Sequence, residues 1–246
     1  MPDTARIFVR LAVLFACAAG LAALAWSLAT GRITVPPRWN PWAPLDIAEA
    51  PGPFTSTKLA RLTSGPPAAC LAWLDRSGVR HTPVADRTER DGCGWQGATR
   101  LSAFGEARLS SAVTLSCPVA AGLALWERHA LQPAAFVQMG SRVATIEHLG
   151  SYACRNVGGG ATGRRSEHAR ANALDVAGFR LADGRQVSVL RDWRAAGATR
   201  STGASLFLGE AQQGACGYFS AVLSPAYNAA HRDHFHLDRG PYRVCR

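Results

Sequence analysis

Residues 231–238 read His-Arg-Asp-His-Phe-His-Leu-Asp, and this stretch near the C-terminus holds three of the seven histidines in the chain. Side chains alternate between the two faces of an extended strand, so a strand here would place His234 and His236 on the same face. Two neighbouring imidazoles suit metal binding or proton transfer. The alternative is a pair of surface histidines beside a basic C-terminus, and a second segment of the chain bears on that choice.

The second segment, residues 165–177, reads Arg-Ser-Glu-His-Ala-Arg-Ala-Asn-Ala-Leu-Asp-Val-Ala. Its second half alternates small and larger residues, and Asp183-Gly184 follows as a hairpin turn signal. We therefore predict a loop that carries His168 and then a strand that carries Asp175. With one histidine from the distant strand, these would provide three ligands and leave a fourth position for water, which is typical of a catalytic zinc site. Taken alone, Asp175 could instead cap a helix or pair with an arginine, and His168 could be an ordinary loop residue.

Together the two segments resemble the LAS-type zinc peptidases, which include penicillin-insensitive murein endopeptidases, D-Ala-D-Ala carboxypeptidases and lysostaphin-like enzymes. The shared pattern is S-x-H-x-x-(G/A)-x-A-x-D followed by H-x-H, represented here by Ser166, His168, Ala171, Ala173, Asp175, His234 and His236. The spacing of the three C-terminal histidines is most similar to the endopeptidase branch. Ala171 stands where many of those peptidases have glycine.

This resemblance implies that His168, Asp175 and His236 bind Zn²⁺. It also implies that His234 is the general base or stabilises the transition state, with His231 in a supporting role.

In the peptidases resembled, an arginine shortly before the first histidine ligand helps to bind substrate. Arg155 is the best match to it, although a structural arginine paired with an aspartate or a carbonyl group is the alternative. Asp233 and Asp238 are candidates for carboxylates that orient imidazoles, or else solvated ends of the strand. His81, His129 and His148 belong to no motif and are predicted to be structural or surface histidines.

A longer stretch of the chain, about residues 58–246, resembles the bacterial extensin-like C-terminal domain proteins. The likeness runs from Cys117-Pro-Val-Ala through residues 147–156 to residues 228–238.

The N-terminus is predicted to be a targeting element. Arg6 and Arg10 precede an apolar run from Leu11 to Ala29 that is long enough to span a bilayer. Arginines on that side favour a cytoplasmic N-terminus. We predict a cytoplasmic segment (1–10), a transmembrane signal anchor in the inner membrane (11–30), a proline-rich linker (31–57) and a periplasmic domain (58–246). A cleaved signal peptide is the alternative to the anchor.

The cysteines agree with export. Cys17 lies in the apolar run, and the other six lie outside it without any C-x-x-C spacing, which argues against a cysteine zinc site. Disulfides are expected in an oxidising periplasm. Many pairings are open, and we predict that sequence neighbours pair: Cys70–Cys93, Cys117–Cys154 and Cys216–Cys245.

The chain is basic, with a formal net charge of +10 and a pI of about 10.0, and Lys58 is the single lysine among its 27 basic residues. A basic surface favours anionic partners such as phospholipid or cell-wall polymer. The sequence has no basic helix, RNP-like aromatic strand or zinc-finger spacing, so we predict no nucleic-acid partner.

Helices and strands are intermingled in the predicted order, which indicates an α+β domain with a mainly antiparallel sheet flanked by helices. Residues 150–165, with Gly158-Gly-Gly160, are predicted to form a loop that borders a cleft. The helices are predicted over residues 67–76, from a cap at Ser116 to Pro133, and over 205–219. The strands are predicted over residues 79–83, 142–149, 172–180 and 186–191, and at the H-x-H motif.

The function that these patterns and the resemblance favour is a periplasmic zinc-dependent peptidase acting on peptidoglycan stem peptides or cross-links, alone or with an envelope partner. Whether the chain is an enzyme stays open. A non-catalytic wall-binding or scaffold protein with a retained metal site is the alternative from another class. A different metallohydrolase, such as an amidase, would use the same ligands.

Overall fold

The computed structural model describes residues 3–194 and 201–246 of the chain. Helix α1 (Asp3–Ala29) contains the segment Ala5–Leu28, which is long and apolar enough to cross a membrane, with a mean hydropathy of 2.3. None of this segment is buried against the rest of the protein. A signal sequence would have the same length and composition. Residues 1 and 2 of the predicted cytoplasmic segment lie outside the described residues.

The folded part contains six further helices and eleven strands within the described ranges. The helices are α2 (Thr55–Ser64), α3 (Pro67–Arg76), α4 (Cys117–Trp126), α5 (Gln132–Met139), α6 (Val189–Asp192) and α7 (Gly203–Ala215). The strands are β1 (Arg80–Pro83), β2 (Arg87–Thr88), β3 (Gly94–Trp95), β4 (Ala98–Phe104), β5 (Ala107–Ser116), β6 (Val143–Gly150), β7 (Ala173–Leu181), β8 (Gln186–Ser188), β9 (Ala221–Leu223), β10 (Phe235–Asp238) and β11 (Val244–Cys245).

One large sheet organises the domain. Its strands follow the order β1-β4-β5-β6-β7-β10-β9-β11, and β8 pairs with β7. The pairs β5–β6 and β9–β11 are parallel, and the other pairs in this sheet are antiparallel. Strands β2 and β3 form a separate two-stranded ribbon. The predicted α+β class with a mainly antiparallel sheet is therefore confirmed.

Helix α4 is the centre of the core because it is apolar on all sides. Every residue of α4 except Pro118 is buried, and the helix packs against α2, α3, β4 and β5. A helix that is hydrophobic all round must be enclosed in this way. At its carboxyl end the indole Nε1 of Trp126 donates a hydrogen bond to the Ala211 carbonyl of α7 at 2.8 Å.

The helix that starts after Ser116 continues past the predicted stop at Pro133. One π-helical turn, Glu127–Leu131, joins α4 to α5, and Pro133 follows it as the second residue of α5, so the irregular turn accommodates the proline within a continuous helix. The predicted helix over 205–219 begins and ends a few residues early, and α2, β4 and β5 were not predicted.

The disulfides correct two of the three predicted pairs. Cys216 pairs with Cys245 as predicted, whereas Cys70 pairs with Cys117 and Cys93 pairs with Cys154. The pairs Cys70–Cys93 and Cys117–Cys154 were wrong because the unpredicted β4–β5 hairpin returns the chain to α3. There Cys117, the first residue of α4, forms a disulfide with Cys70. Cys17 is a free, exposed cysteine.

Part of the proline-rich segment lies on the domain. Trp73 Nε1 donates to the Leu45 carbonyl and His129 Nε2 to the Ile47 carbonyl, both at 2.9 Å. The single lysine, Lys58, is buried and donates to the Pro37 carbonyl at 2.6 Å. The side chains of Leu45 and Ile47 also pack against the core. Residues from Pro37 onward are thus held against the domain.

A buried carboxylate joins the helical layer to the sheet. Glu127 Oε1 accepts hydrogen bonds from the backbone N–H groups of Glu106 and Ala107 and from Gln132 Nε2. The Gln132 amide also bonds both backbone groups of Val143 at the start of β6. Burial raises the pKa of Glu127, although these hydrogen bonds oppose the shift.

We expect Glu127→Ala to lower the free energy of unfolding by about 3 kcal/mol, because it leaves buried donors without an acceptor. Glu106→Ala is the matched control, since it removes an exposed glutamate that pairs with Arg142 and that contributes about 1 kcal/mol or less. Chemical denaturation of the full chain measures both. Equal losses in the two variants would contradict the importance of the buried network.

Candidate metal centre

Two neighbouring strands bring the distant halves of the site together. Strand β10 pairs antiparallel with β7, and in this register His236 lies directly opposite Asp175. Phe235 and Leu237 are fully buried in the core. Because side chains alternate along a strand, His236 faces the other side of the sheet. The chain enters β10 through His234, whose side chain lies on the same side as that of His236, as predicted.

A short 3-10 turn, Glu167–Arg170, supplies the third residue. The Oγ of Ser166 accepts a hydrogen bond from the His168 N–H at the start of this turn. Ala171 ends the turn with a left-handed backbone (φ 51°, ψ 26°) and is fully buried. This conformation redirects the chain into β7, so His168 and Asp175 meet although seven positions separate them. His168 thus lies on a short turn and Asp175 on strand β7, as predicted.

Three side-chain atoms of this cluster converge. His168 Nε2 lies 3.1 Å from His236 Nδ1 and 3.2 Å from Asp175 Oδ1, and the latter two atoms are 3.0 Å apart. Ligands at about 2.0–2.1 Å around a tetrahedral zinc ion are about 3.3 Å from one another. The side chains therefore fit a small tetrahedral cation with little adjustment, and they are a possible metal-binding group in the described part of the chain.

Each imidazole donates a hydrogen bond from the ring nitrogen that faces away from the centre, so its other nitrogen, which faces the centre, carries no hydrogen when the ring is neutral. His168 Nδ1 donates to the Ser151 carbonyl at 2.5 Å, and His236 Nε2 donates to Asp238 Oδ2 at 3.0 Å. In the neutral rings, His168 Nε2 and His236 Nδ1 are then both lone-pair acceptors. Together with the Asp175 carboxylate, they place three electron-rich atoms face to face, and a cation between them would relieve their repulsion. Such outer contacts are typical of histidine ligands.

The ionisation of the cluster reflects this attraction for cations. Burial lowers the pKa of His236, but its hydrogen bonds to Asp175 and Asp238 outweigh burial and raise the pKa to about 9. Burial raises the pKa of Asp175, but its hydrogen bonds to His168 and His236 outweigh burial and hold the pKa well below its ordinary value. A proton bound to His236 thus supplies the positive charge that the cluster attracts.

A second acid–base group stands beside the three. His234 Nδ1 donates to Asp233 Oδ1 at 2.8 Å, so the neutral ring presents Nε2 as an acceptor. This Nε2 lies 3.6 Å from Asp175 Oδ1. Asp233 and Asp238 thus contact different histidines, one beside the cluster and one within it. An acceptor nitrogen at this distance can take a proton from a water molecule in the centre.

His231 and Arg155 border the same cleft. The His231 ring lies 5.2 Å from that of His234, and its Nδ1 donates to Asn228 Oδ1 at 2.7 Å. Burial, followed by the charges of His234 and His236, lowers the pKa of His231 to about 4, so this ring is neutral at pH 7. Arg155 is exposed in the cleft wall and makes no ion pair with any described residue. Among the described residues, Arg155 therefore lacks the pairing with an aspartate or a carbonyl group that was the alternative for it.

The cleft has a volume of about 720 Å³. Residues of the predicted glycine loop form one wall of it, and the other wall is formed by the chain around Tyr227 and by the C-terminal residues Gly240, Pro241 and Tyr242. His81, His129 and His148 lie outside it. The sequence did not indicate the Ser151 carbonyl, because a backbone acceptor carries no side-chain signal. The Tyr227 ring, 5.7 Å from the His231 ring, was also missed.

A family model described as "Extensin-like protein C-terminus" matches residues 68–246. The chain belongs to the extensin-like C-terminus family. No curated protein and no solved structure matches the chain. The matched residues include the cluster of His168, Asp175 and His236, every residue that lines the cleft and all three disulfides.

The left-handed residue that positions His168 in the extensin-like domain gives a test of the local geometry. We expect Ala171→Gly to change the free energy of unfolding by less than about 1 kcal/mol, because relief of the left-handed backbone offsets the lost methyl burial. Ala171→Val should cost about 2 kcal/mol, since a β-branched residue is strained at positive φ. Ala177→Val, within strand β7, is the control and should cost much less. A well-tolerated Ala171→Val would contradict this backbone geometry.

Proposed function

We propose that this protein is a membrane-anchored, zinc-dependent peptidase that hydrolyses peptide bonds in the stem peptides or cross-links of peptidoglycan. The observation that carries the proposal is the triangle of His168 Nε2, His236 Nδ1 and Asp175 Oδ1, with separations of 3.0–3.2 Å. Two nitrogens and one carboxylate oxygen in an open cleft leave a fourth position for water, which distinguishes catalytic zinc sites from structural ones.

A bound zinc ion would supply a water molecule whose pKa is lowered toward ~7 and would polarise the substrate carbonyl. The protein's own side chains then do the rest. His234 Nε2 takes the proton from the attacking water, and Asp233 holds the tautomer that makes this possible. The same ring can return the proton to the leaving amine. The neutral His231 ring lies beside His234, so it adds no positive charge that would oppose protonation of His234.

Arg155 is the residue proposed to contact substrate. Its side chain has no carboxylate partner in the described part of the chain, and it lines the cleft with the metal ligands. A guanidinium in this position can bind a peptide carboxylate or stabilise the developing oxyanion charge. The disulfide Cys93–Cys154 adjoins Arg155 and limits the movement of its backbone.

The choice of peptidoglycan as substrate rests on the resemblance of the two metal-binding segments to the LAS-type peptidases. The combination S-x-H-x-x-(G/A)-x-A-x-D and H-x-H supports a murein endopeptidase chemistry. Asp233 and His234 occupy the place of the glutamate that precedes the last ligand in the carboxypeptidase branch. The volume of the cleft, about 720 Å³, suits several residues of a peptide.

The proposed location is the inner membrane, with α1 as a single-pass anchor and the domain in the periplasm. The apolar segment Ala5–Leu28 and the arginines at its N-terminal end support this orientation. Three disulfides support an oxidising compartment. Peptidoglycan is the polymer that a domain in this position would meet.

The first test is the zinc content of the full chain in detergent, measured by elemental mass spectrometry after zinc loading and dialysis. We expect about one zinc per chain, and its loss in His168→Ala, Asp175→Ala and His236→Ala. His148→Ala is the matched control, because this histidine lies outside the cleft. A folded wild-type chain that takes up no zinc would contradict the proposal.

Hydrolysis is tested on purified sacculi, with soluble products identified by chromatography and mass spectrometry. We expect the zinc-loaded chain to release peptides and His234→Ala to keep its zinc while losing at least about 10²-fold in rate. Zinc binding without any release from sacculi would overturn the peptidase proposal and favour the wall-binding alternative. An unchanged rate in His234→Ala would overturn the role of that histidine.

The two carboxylates that orient imidazoles should behave differently. Asp238→Asn leaves one acceptor oxygen for two donors, His236 Nε2 and the Gly240 N–H, and removes the negative charge, so zinc affinity should fall by about 10- to 100-fold. Asp233→Asn acts only on His234, so it should lower the hydrolysis rate and change zinc affinity by less than about threefold. Competition with a fluorescent zinc chelator measures the affinities. Equal effects of both variants on zinc affinity would contradict the assignment.

A further inference from the structure

A second cleft, of about 760 Å³, lies beside the metal-binding cleft. The two share one wall formed by Glu167, Gly240 and Pro241. Gly240 permits this close wall, because a Cβ there would lie 2.7 Å from the Glu167 carboxyl carbon. The far side of the second cleft is the β2–β3 ribbon, residues 87–96, which the sequence analysis did not connect with function.

The second cleft is lined by more positive than negative groups. Its arginines are Arg87, Arg170 and Arg239, and its acids are Glu89 and Glu167. Glu89 pairs with Arg87. Glu167 accepts a hydrogen bond from Asn172 Nδ2 at 2.7 Å and faces the Arg164 guanidinium at 3.8 Å, so Arg170 and Arg239 are left without a matching acid. The potential left in the cleft is therefore positive.

Two of these guanidinium groups lack a carboxylate partner among the described residues. Arg170 is exposed and makes no ion pair. Arg239 is partly buried, and its Nη atoms donate only to the Tyr218 carbonyl and to Thr63 Oγ1, neither of which carries charge. Burial and the charge of Arg243 lower the pKa of Arg239, and the nearby Asp238 offsets only part of this cost of desolvating the guanidinium charge. An anionic ligand in the cleft would reduce that cost.

The arginine on the ribbon is held in place before any ligand arrives. The Arg87 guanidinium carbon lies 5.2 Å from the Trp95 ring centroid and 5.3 Å from the Tyr152 centroid. The disulfide Cys93–Cys154 fastens the ribbon to the loop that carries Arg155. Because Arg87 is already paired with Glu89, it forms a rigid edge of the cleft and leaves the contact with a ligand to Arg170 and Arg239.

We propose that the second cleft binds a peptide carboxylate on one branch of a cross-linked substrate, while the first cleft holds the bond to be cut. This inference rests on the proposed function, since it makes the substrate a branched peptide that crosses the Glu167–Pro241 wall. Arginine side chains bind carboxylates through paired, charge-assisted hydrogen bonds. Arg170 is the principal contact, because it is exposed and has no ion-pair partner in the described ranges.

The test is equilibrium binding of a fluorescently labelled, cross-linked muropeptide dimer to the full chain in detergent, stripped of metal so that no turnover occurs. Fluorescence anisotropy gives the dissociation constant. We expect Arg170→Gln to weaken binding about tenfold, and Arg170→Lys to weaken it less. The same dimer with its carboxylates amidated should bind the wild-type chain at least as weakly as the untreated dimer binds Arg170→Gln, because amidation also removes any carboxylate that contacts Arg155. Arg100→Gln, an exposed arginine of β4 outside both clefts, is the control of equal charge.

The outcomes separate this inference from the proposed function. Binding that depends on Arg170 and on the carboxylates, together with no hydrolysis by the zinc-loaded chain, would support the second cleft and overturn the peptidase. Hydrolysis together with equal binding by wild type and Arg170→Gln would overturn the second cleft alone. Equal affinity for the amidated and the untreated dimer would also overturn it. A loss of binding in Arg100→Gln as large as in Arg170→Gln would assign the effect to overall charge.

Discussion

The register of β7 against β10 is the constraint on which the rest of the site depends. It sets Asp175 opposite His236, and the buried residues Phe235 and Leu237 fix it, because a slip by one residue would turn the histidine into the core. The surrounding structure stabilises this pairing. The Cys216–Cys245 disulfide closes the chain after β10, and the Ser220 N–H bonds the Asp238 carbonyl. A candidate metal site whose histidines lie 68 positions apart is thus built on ordinary strand pairing.

Both imidazoles of the cluster have an outer partner within the fold. The Ser151 carbonyl and Asp238 fix the two imidazoles from behind, and Asp238 is itself held by the Gly240 N–H. The result is a centre whose geometry exists before a ligand arrives. The Glu127 and Gln132 network fixes the helical layer against the β4–β5 turn and against β6, the strand that pairs with β7.

The candidate site was largely predictable, because its signals are local. Alternation over residues 171–177, the turn at Asp183-Gly184 and the H-x-H spacing each lie within a few residues. The disulfide pairs Cys70–Cys117 and Cys93–Cys154 were not predictable, since they depend on the path of the β4–β5 hairpin. The second cleft could not be predicted from the sequence either, because its arginines come from three separate segments that only the tertiary fold brings together.

The contacts of Pro37, Leu45 and Ile47 with the domain have a consequence for where the protein works. With α1 in the membrane, as proposed, only the residues between Ala29 and Pro37 are left to connect the two. Even fully extended, these residues reach about 25–30 Å. The cleft would then stay within a thin layer immediately above the lipid surface. Its access to new substrate would depend on lateral diffusion of the whole molecule in the bilayer and not on the motion of a long flexible linker.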